Sequence, residues 1–393
     1  MHLVFISSLV PVAHPTSGYD IANRVIVDAL RALGHQVSVL GFLQTGNEIA
    51  QRDETSLLGT LEVTNAKVGR AQKLRWLLAA FQHGVPVSVA KMHAASRSEV
   101  TTALDSFGPF DGLILNSVQL PSAFFDVFDQ YPYCFVAHNV EADSAAENAQ
   151  NAGSAIGRLL FRREAKLLRR LEAMLCNAST HVFTLADADQ AALGLAGTNK
   201  ATTLPLVTSM ATPPAPVSRQ PTFDLGMIGS WTWAANRAGL DWFLAHVVPL
   251  LPLDMEIAIA GGMGQRPDTI ASNVSFLGRV PDARAFVRSV RVIPLVSRMG
   301  TGVQLKTIET FEMGLPAVAT QNALRGLSSW PGNCVLADDP AAFADALVKM
   351  VGRARDGENL DLDGRAFHAR QTTDLKTALE DGLENLKFMV NKG

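Results

Sequence analysis

Short apolar runs and longer helical patterns alternate twice along this chain, and a proline-rich stretch separates the two rounds. Leu3–Ile6 reads as a strand and Ile21–Leu33 as a helix. Gly34-His35 stops that helix, and Val37–Leu40 reads as the next strand. Strand, helix and strand in this order make a βαβ unit. Leu113–Leu115, Tyr133–Val136 and His181–Leu185 read as further parallel strands, with a long helix over Gly157–Cys176. Residues 209–222 hold four prolines and no aromatic, which predicts a stiff, solvated linker. The alternation then restarts. Strands are expected at Phe223–Ile228, Glu256–Ala260, Val274–Leu277, Val292–Val296 and Pro316–Thr320. Helices are expected at Gly239–Leu250 and Val303–Met313, the second stopped by Gly314. The fold class is therefore α/β, with two Rossmann-like domains in succession. Ligands of such sheets sit at the carboxyl ends of the strands.

Of the 393 residues, 48% are hydrophobic and 18% charged, enough apolar material for two packed cores. Lys and Arg number 34 against 37 Asp and Glu, a net charge of −3, so no basic excess points to nucleic acid. The three cysteines, Cys134, Cys176 and Cys334, are far apart and without a Cys-x-x-Cys pair. Neither a disulfide framework nor a zinc site is expected, and a reducing, cytoplasmic compartment fits. The apolar start carries no Lys or Arg before Arg24, unlike a signal peptide, and no uncharged run approaches the ~20 residues that span a bilayer.

Chemistry concentrates in Arg298-Met299-Gly300-Thr301-Gly302-Val303-Gln304-Leu305-Lys306-Thr307-Ile308-Glu309. This stretch follows a strand and opens a helix. Gly300 and Gly302 let the backbone approach a ligand, and the free N–H groups of the helix start favour an anion. Residues 283–308 contain Arg284, Arg288, Arg291, Arg298 and Lys306 and no acid. A lysine in the first helical turn opposes the helix dipole unless an anion offsets it, and phosphate is the obvious one. Glu309 shares a helix face with Lys306 and is placed to accept ribose hydroxyls. The bland alternative is a solvated basic helix start. His138 follows the strand 133–136 at its carboxyl end, where it can bond a sugar hydroxyl or an acceptor; the alternative is a capping or core histidine. Asp187-Ala188-Asp189 suits a helix start better than a metal site. No cluster has metal-ligand spacing, so no required metal and no cofactor are expected.

The run Lys306-x2-Glu309-x4-Gly314-x-Pro316-Ala317-Val318-Ala319-Thr320 resembles the donor-binding signature of the family 4 glycosyltransferases. Ser17-Gly18, Leu33–Val37, Phe276–Asp282 and Ile293–Leu295 match further pieces of that family in order. The resemblance implies the GT-B fold: two Rossmann-like domains facing a central cleft. It implies an acceptor-binding domain at 1–208, the linker at 209–222 and a nucleotide-sugar-binding domain at 223–372. A last helix at 373–393 would cross back to the first domain. The implied reaction moves a sugar from a nucleotide-diphosphate sugar to a glycan, lipid-linked or small-molecule acceptor, with retention of configuration. His138, Arg298 and Lys306 take the catalytic positions. Gly18, Gly229, Arg237, Gly278, Arg279, Val280, Gly300, Thr301, Gly302, Val303 and Glu309 take donor-binding ones. The sequence departs from the family's common Glu-x7-Glu at Thr301, and the loop Gly229–Arg237 carries a single basic residue. The alternatives are a GT-B sugar-nucleotide 2-epimerase and a non-catalytic sugar-nucleotide-binding protein.

Two basic stretches concern the acceptor. Residues 63–98 hold Lys67, Arg70, Lys73, Arg75, Lys91 and Arg97 and no acid. Residues 158–170 hold six basic residues against Glu164. One reading is peripheral contact with an anionic membrane on its inner face; the other is amphipathic helices packed on their own domain.

Overall fold

The computed structural model describes residues 1–62, 68–264 and 271–390. It divides into two compact units, Met1–Met210 with Thr372–Gly393, and Ala211–Gln371. Lys67 of the first basic stretch lies outside the described residues.

The first unit carries seven strands: β1 (His2–Leu9), β2 (Gln36–Gln44), β3 (Thr55–Leu61), β4 (Gly112–Asn116), β5 (Tyr133–Ala137), β6 (His181–Thr184) and β7 (Ala201–Thr203). Their order is β3-β2-β1-β4-β5-β6-β7. The second unit carries six more: β8 (Phe223–Ile228), β9 (Ile257–Ala260), β10 (Val274–Gly278), β11 (Val290–Leu295), β12 (Ala317–Ala319) and β13 (Cys334–Leu336). Their order is β10-β9-β8-β11-β12-β13. Within each sheet the strands pair in parallel, and each sheet reverses direction beside its first strand, as in doubly wound folds. Helices on both faces bury these strands, which is why β1, β4, β5 and β9 are continuous apolar runs rather than alternating ones.

Local chemistry sets the helix starts. Ser17 and Asp20 form a reciprocal capping box at the head of Gly18–Ala32, and Ser96 and Glu99 do the same for Arg97–Asp105. Gly314, at φ +69°, ends the helix Leu305–Glu312; a Cβ there would fall 1.9 Å from the Leu362 carbonyl oxygen.

The proline-rich stretch carries no helix or strand and is mostly exposed over 209–222, while residues from 211 onward count with the second unit. Arg219 is buried in an ion pair with Asp361, and its guanidinium also donates to the carbonyls of Arg288 and Val290. Arg288 returns a bond to the Val217 carbonyl at 3.1 Å. Prolines lack N–H donors but keep their neighbours' carbonyls, and two arginines suffice to pin such a segment.

The last helix is longer than expected and runs from Gly364 to Val390. Its first turns count with the second unit and the rest with the first. There Gly382 packs on Phe183 and His181, where a Cβ would fall 2.3 Å from the Phe183 ring. Leu386 packs against Gly112.

Candidate functional site

The switch point of the second sheet lies between β8 and β11. Gly229 N–H donates to Ala260 O at 3.2 Å, and Gly261 N–H to Gly278 O at 2.6 Å. The carboxyl ends of β8, β9 and β10 are thereby tied together. Gly261 sits at φ +112°, and a Cβ there would fall 1.9 Å from the Gly229 carbonyl oxygen, so only glycine fits. Trp231 closes over Gly229 and donates its indole N–H to Ala260 O at 2.8 Å. Gly278 also has positive φ, and the exposed guanidinium of Arg279 lies beside Gly262, with Val280 following.

Beyond β11, the loop 298–303 is pinned by Thr320, the last residue of the signature run, and by Asn322 and Arg325, which no motif singles out. Thr320 accepts from Ser297 N–H at 3.0 Å and returns its hydroxyl to Ser297 O at 3.0 Å. Asn322 donates to Ser297 Oγ at 3.1 Å, and Arg325 to Gly302 O at 2.8 Å. Gly300 and Gly302 both adopt positive φ, so their amides turn as L-residues rarely allow. Thr301 and Val303 complete this loop. No side chain caps the helix Leu305–Glu312 at Gln304; Thr307 N–H is taken by Gln304 O at 2.9 Å, and the amides of Leu305 and Lys306 stand at the helix start, in its first turn.

Lys306 stands in that first turn. It lines a cavity of about 30 Å³ with Gly226–Ile228 of β8, Ile293–Leu295 of β11 and Glu309. Among the described residues, no carboxylate comes within ion-pair distance of its ammonium. Burial pushes its pKa down to about 8. Glu309 accepts from Arg284 Nε at 3.0 Å. Arg298 stacks on Trp242 at 4.8 Å and stands 3.8 Å from Asp338. Arg237 is held by Asp241 one turn along its own helix, at 2.7 Å. Lys306 and Glu309 thus stand together at the β8–β11 switch point, whereas Arg237 and Arg298 carry carboxylate partners of their own.

The first unit has a polar centre at the same topological place, between β1 and β4. Asn116 is fully buried and donates to Ser7 Oγ at 3.0 Å and to Asn23 Oδ1 at 2.8 Å. Its amide nitrogen is therefore committed, and its Oδ1, 2.7 Å from His138 Nε2, must accept. His138 consequently carries its proton on Nε2 and presents an unprotonated Nδ1. Burial pushes the His138 pKa down to about 4, keeping the ring neutral. The Tyr19 ring lies 4.8 Å from it, and Tyr19 OH bonds to Ser7 and Ser117 at 3.1 Å each. Ser117 holds φ +68°, a strained value for serine at a site. Gly18 opens the helix that carries Tyr19. Beside this centre lies a cavity of about 560 Å³ lined by Ser8, Ser17, Tyr19, Lys91, Gln119 and Glu141. Periodicity could not have found it, because its residues come from segments far apart along the chain.

Among the described residues, no group of three or more His, Cys, Asp and Glu is placed to hold a metal ion. Asp187 and Asp189 occupy the first turn of the helix Asp187–Ala192. Thr203 donates its hydroxyl to Asp187. All three cysteines are free and buried.

Residues 222–353 match the family model described as "Glycosyl transferases group 1". No curated protein matches the chain. Among solved structures, the chain is similar to a sucrose-phosphate synthase from Thermosynechococcus elongatus, at 14% identity and TM-score 0.64. That likeness covers 100% of this chain and 98% of the other. TarM is similar at 12% identity and TM-score 0.64, over 98% and 99% of the two chains. HepE of Anabaena in complex with UDP is similar at 12% identity and TM-score 0.58, over 98% and 100%. At such identities the likeness shows the fold, and both parallel-sheet units share the GT-B pattern.

Proposed function

We propose that this protein is a glycosyltransferase that draws a sugar from a nucleotide-diphosphate donor bound at the β8–β11 switch point. One observation carries the reading: a partly buried ammonium, Lys306, stands without a carboxylate partner among the described residues, at a helix start without a side-chain cap behind two positive-φ glycines. An isolated buried cation is costly, and a diphosphate supplies the missing charge. The family match over 222–353 and the UDP held by HepE support the same chemistry. As the donor's sugar bond breaks, negative charge grows on the departing diphosphate. Lys306 and the amides at the start of its helix stabilise it most at that stage. Glu309 accepts the ribose hydroxyls. The neutral His138, with Nδ1 bare, accepts a bond from a sugar hydroxyl.

The acceptor belongs to the first unit, in the cavity beside His138, and is a glycan, a lipid-linked sugar or a small molecule. Transfer proceeds with retention and without a required metal, in the cytoplasm. With a lipid-linked acceptor, the enzyme works at the inner face of an anionic membrane.

Calorimetry with UDP, GDP and ADP tests the donor assignment directly. One of the three binds, and Glu309→Ala weakens that binding by about 1.5–3 kcal/mol, the value of a hydrogen bond to a charged acceptor. Equal affinity in wild type and variant removes Glu309 from the site. Activity is expected to persist in EDTA, because the acidic pair nearest to a metal motif is built into a helix start. Complete loss in EDTA, restored by magnesium or manganese, rejects the metal-free mechanism.

A further inference from the structure

The two basic stretches of the first unit form one surface. The helix Arg70–Gln82 and the head of the helix Ala155–Ala178 are clasped by Arg163, which donates to Ala80 O at 2.8 Å and Val85 O at 3.2 Å. Its guanidinium lies 4.4 Å over the Phe81 ring. Glu164, the one acid of 158–170, is taken up by Arg163 and by Val87 N–H. At 3.6 residues per turn, Ile156, Leu159 and Arg163 fall on one stripe, and Leu74, Leu78 and Phe81 on another. The contact between Arg163 and Phe81 places these stripes side by side.

Both stripes face solvent. Leu74 is 57% exposed, Leu78 60%, Phe81 54%, Ile156 74% and Leu159 70%. Such a group of large apolar side chains marks a surface that another phase or molecule covers. Cations flank it. Arg162, Lys166 and Arg170 share the arc of Ile156 and Leu159, and among the described residues none of the three meets a carboxylate. They edge a groove of about 870 Å³ between the helices Glu141–Asn151 and Ala155–Ala178, with Ala146, Ala149, Ala165 and Ala173 among its lining. Arg169, also in the groove, is paired with Asp143 at 2.9 Å.

Protein interfaces deplete lysine at their cores. Here lysine and arginine interleave with leucine and isoleucine, the pattern of helices that lie in a lipid headgroup layer. We propose that these two helices form a single docking face for an anionic phospholipid surface. Leu74, Leu78, Phe81, Ile156 and Leu159 enter the interfacial layer, and Arg162, Lys166 and Arg170 hold lipid phosphates along the groove. The proposal deepens the acceptor reading by naming a lipid surface as the partner of the first unit. It does not depend on the donor site.

Sedimentation of the full-length protein with vesicles tests it. At low salt the protein pellets with phosphatidylcholine vesicles containing phosphatidylglycerol and stays in the supernatant with phosphatidylcholine alone. Raising the salt releases it, because screening shortens to about 10 Å at 0.1 M. The triple variant Arg162→Ser, Lys166→Ser, Arg170→Ser lowers the partition by about a hundredfold. Leu78→Ser with Leu159→Ser lowers it without a change in charge. Free glycerol phosphate leaves vesicle binding unchanged. A thermal melt of each variant that matches wild type confirms a folded protein, and nucleotide calorimetry reports on the donor reading separately. Recovery of wild type in the supernatant with both vesicles overturns the proposal. So does pelleting of the triple variant to the wild-type extent. Self-association without lipid, abolished by Leu78→Ser with Leu159→Ser, assigns the face to a second copy of the chain instead.

Discussion

Lys306→Met is expected to lower transfer turnover by about 10²–10³-fold, the usual cost of one group that stabilises charge in a transition state. Folding responds in the opposite sense. The Lys306 pKa drops from 10.5 to about 8 on folding, because burial penalises its charge. Between those values the unfolded chain binds more protons, so this group's contribution to stability rises with pH from 8 to 10.5. Below pH 8 the full penalty stands, and methionine removes it. The variant should therefore melt at or above the wild-type temperature at pH 7 while losing activity and nucleotide binding. A loss of both stability and activity would mark Lys306 as structural. The pH profile adds a second check. kcat/KM for the donor reports the free enzyme and falls above pH about 8, where Lys306 loses its proton. A bound diphosphate holds that proton more tightly, so the alkaline limb of kcat moves to higher pH. Coincident limbs, or none, would contradict the assignment.

The second large effect is expected at Asn116, which no motif singles out. Asn116→Ala removes the acceptor of His138 Nε2–H and the donor to Asn23 Oδ1, both within a buried network. Groups left unsatisfied in this way cost about 1–3 kcal/mol each. A loss of about 3 kcal/mol in urea unfolding is expected, and more than tenfold in turnover. The distinguishing readout is the imidazole itself. In wild type, nitrogen NMR should show the Nε2–H tautomer of a neutral His138 down to about pH 5, because its pKa is held near 4. A histidine pKa lowered on folding contributes stability that is present above about pH 6.5 and is lost as pH falls towards 4. In Asn116→Ala the tautomers should mix. An unchanged tautomer with unchanged activity would sever the link between Asn116 and His138.

Much of the architecture follows from residue order alone. Parallel strands buried on both faces must be continuous apolar runs, so β1, β5, β8, β9 and β11 could be read directly. Gly34 and Gly314 mark helix ends, because a left-handed residue is needed there. Lys306 and Glu309 could be singled out because a cation at a helix start is a local electrostatic conflict, visible within four residues. β3, β7 and β13 were not legible: they are edge or near-edge strands with exposed positions, and their register depends on neighbours far along the chain. Nor could sequence foresee that Arg219 would hold a proline-rich stretch against Asp361, 142 residues away. The arrangement Ser7–Asn23–Asn116–His138 draws one side chain each from two strands, a helix and a strand end. Only the crossover that sets β1 beside β4 brings them within hydrogen-bond reach. Likewise, the isolation of Lys306 from any carboxylate among the described residues is a property of space, not of order. Arg284 could take Glu309 only once the helix Ala283–Arg288 had packed beside the helix Leu305–Glu312. Local chemistry thus determined where an anion site could form, and tertiary packing decided which charge was left open to fill it.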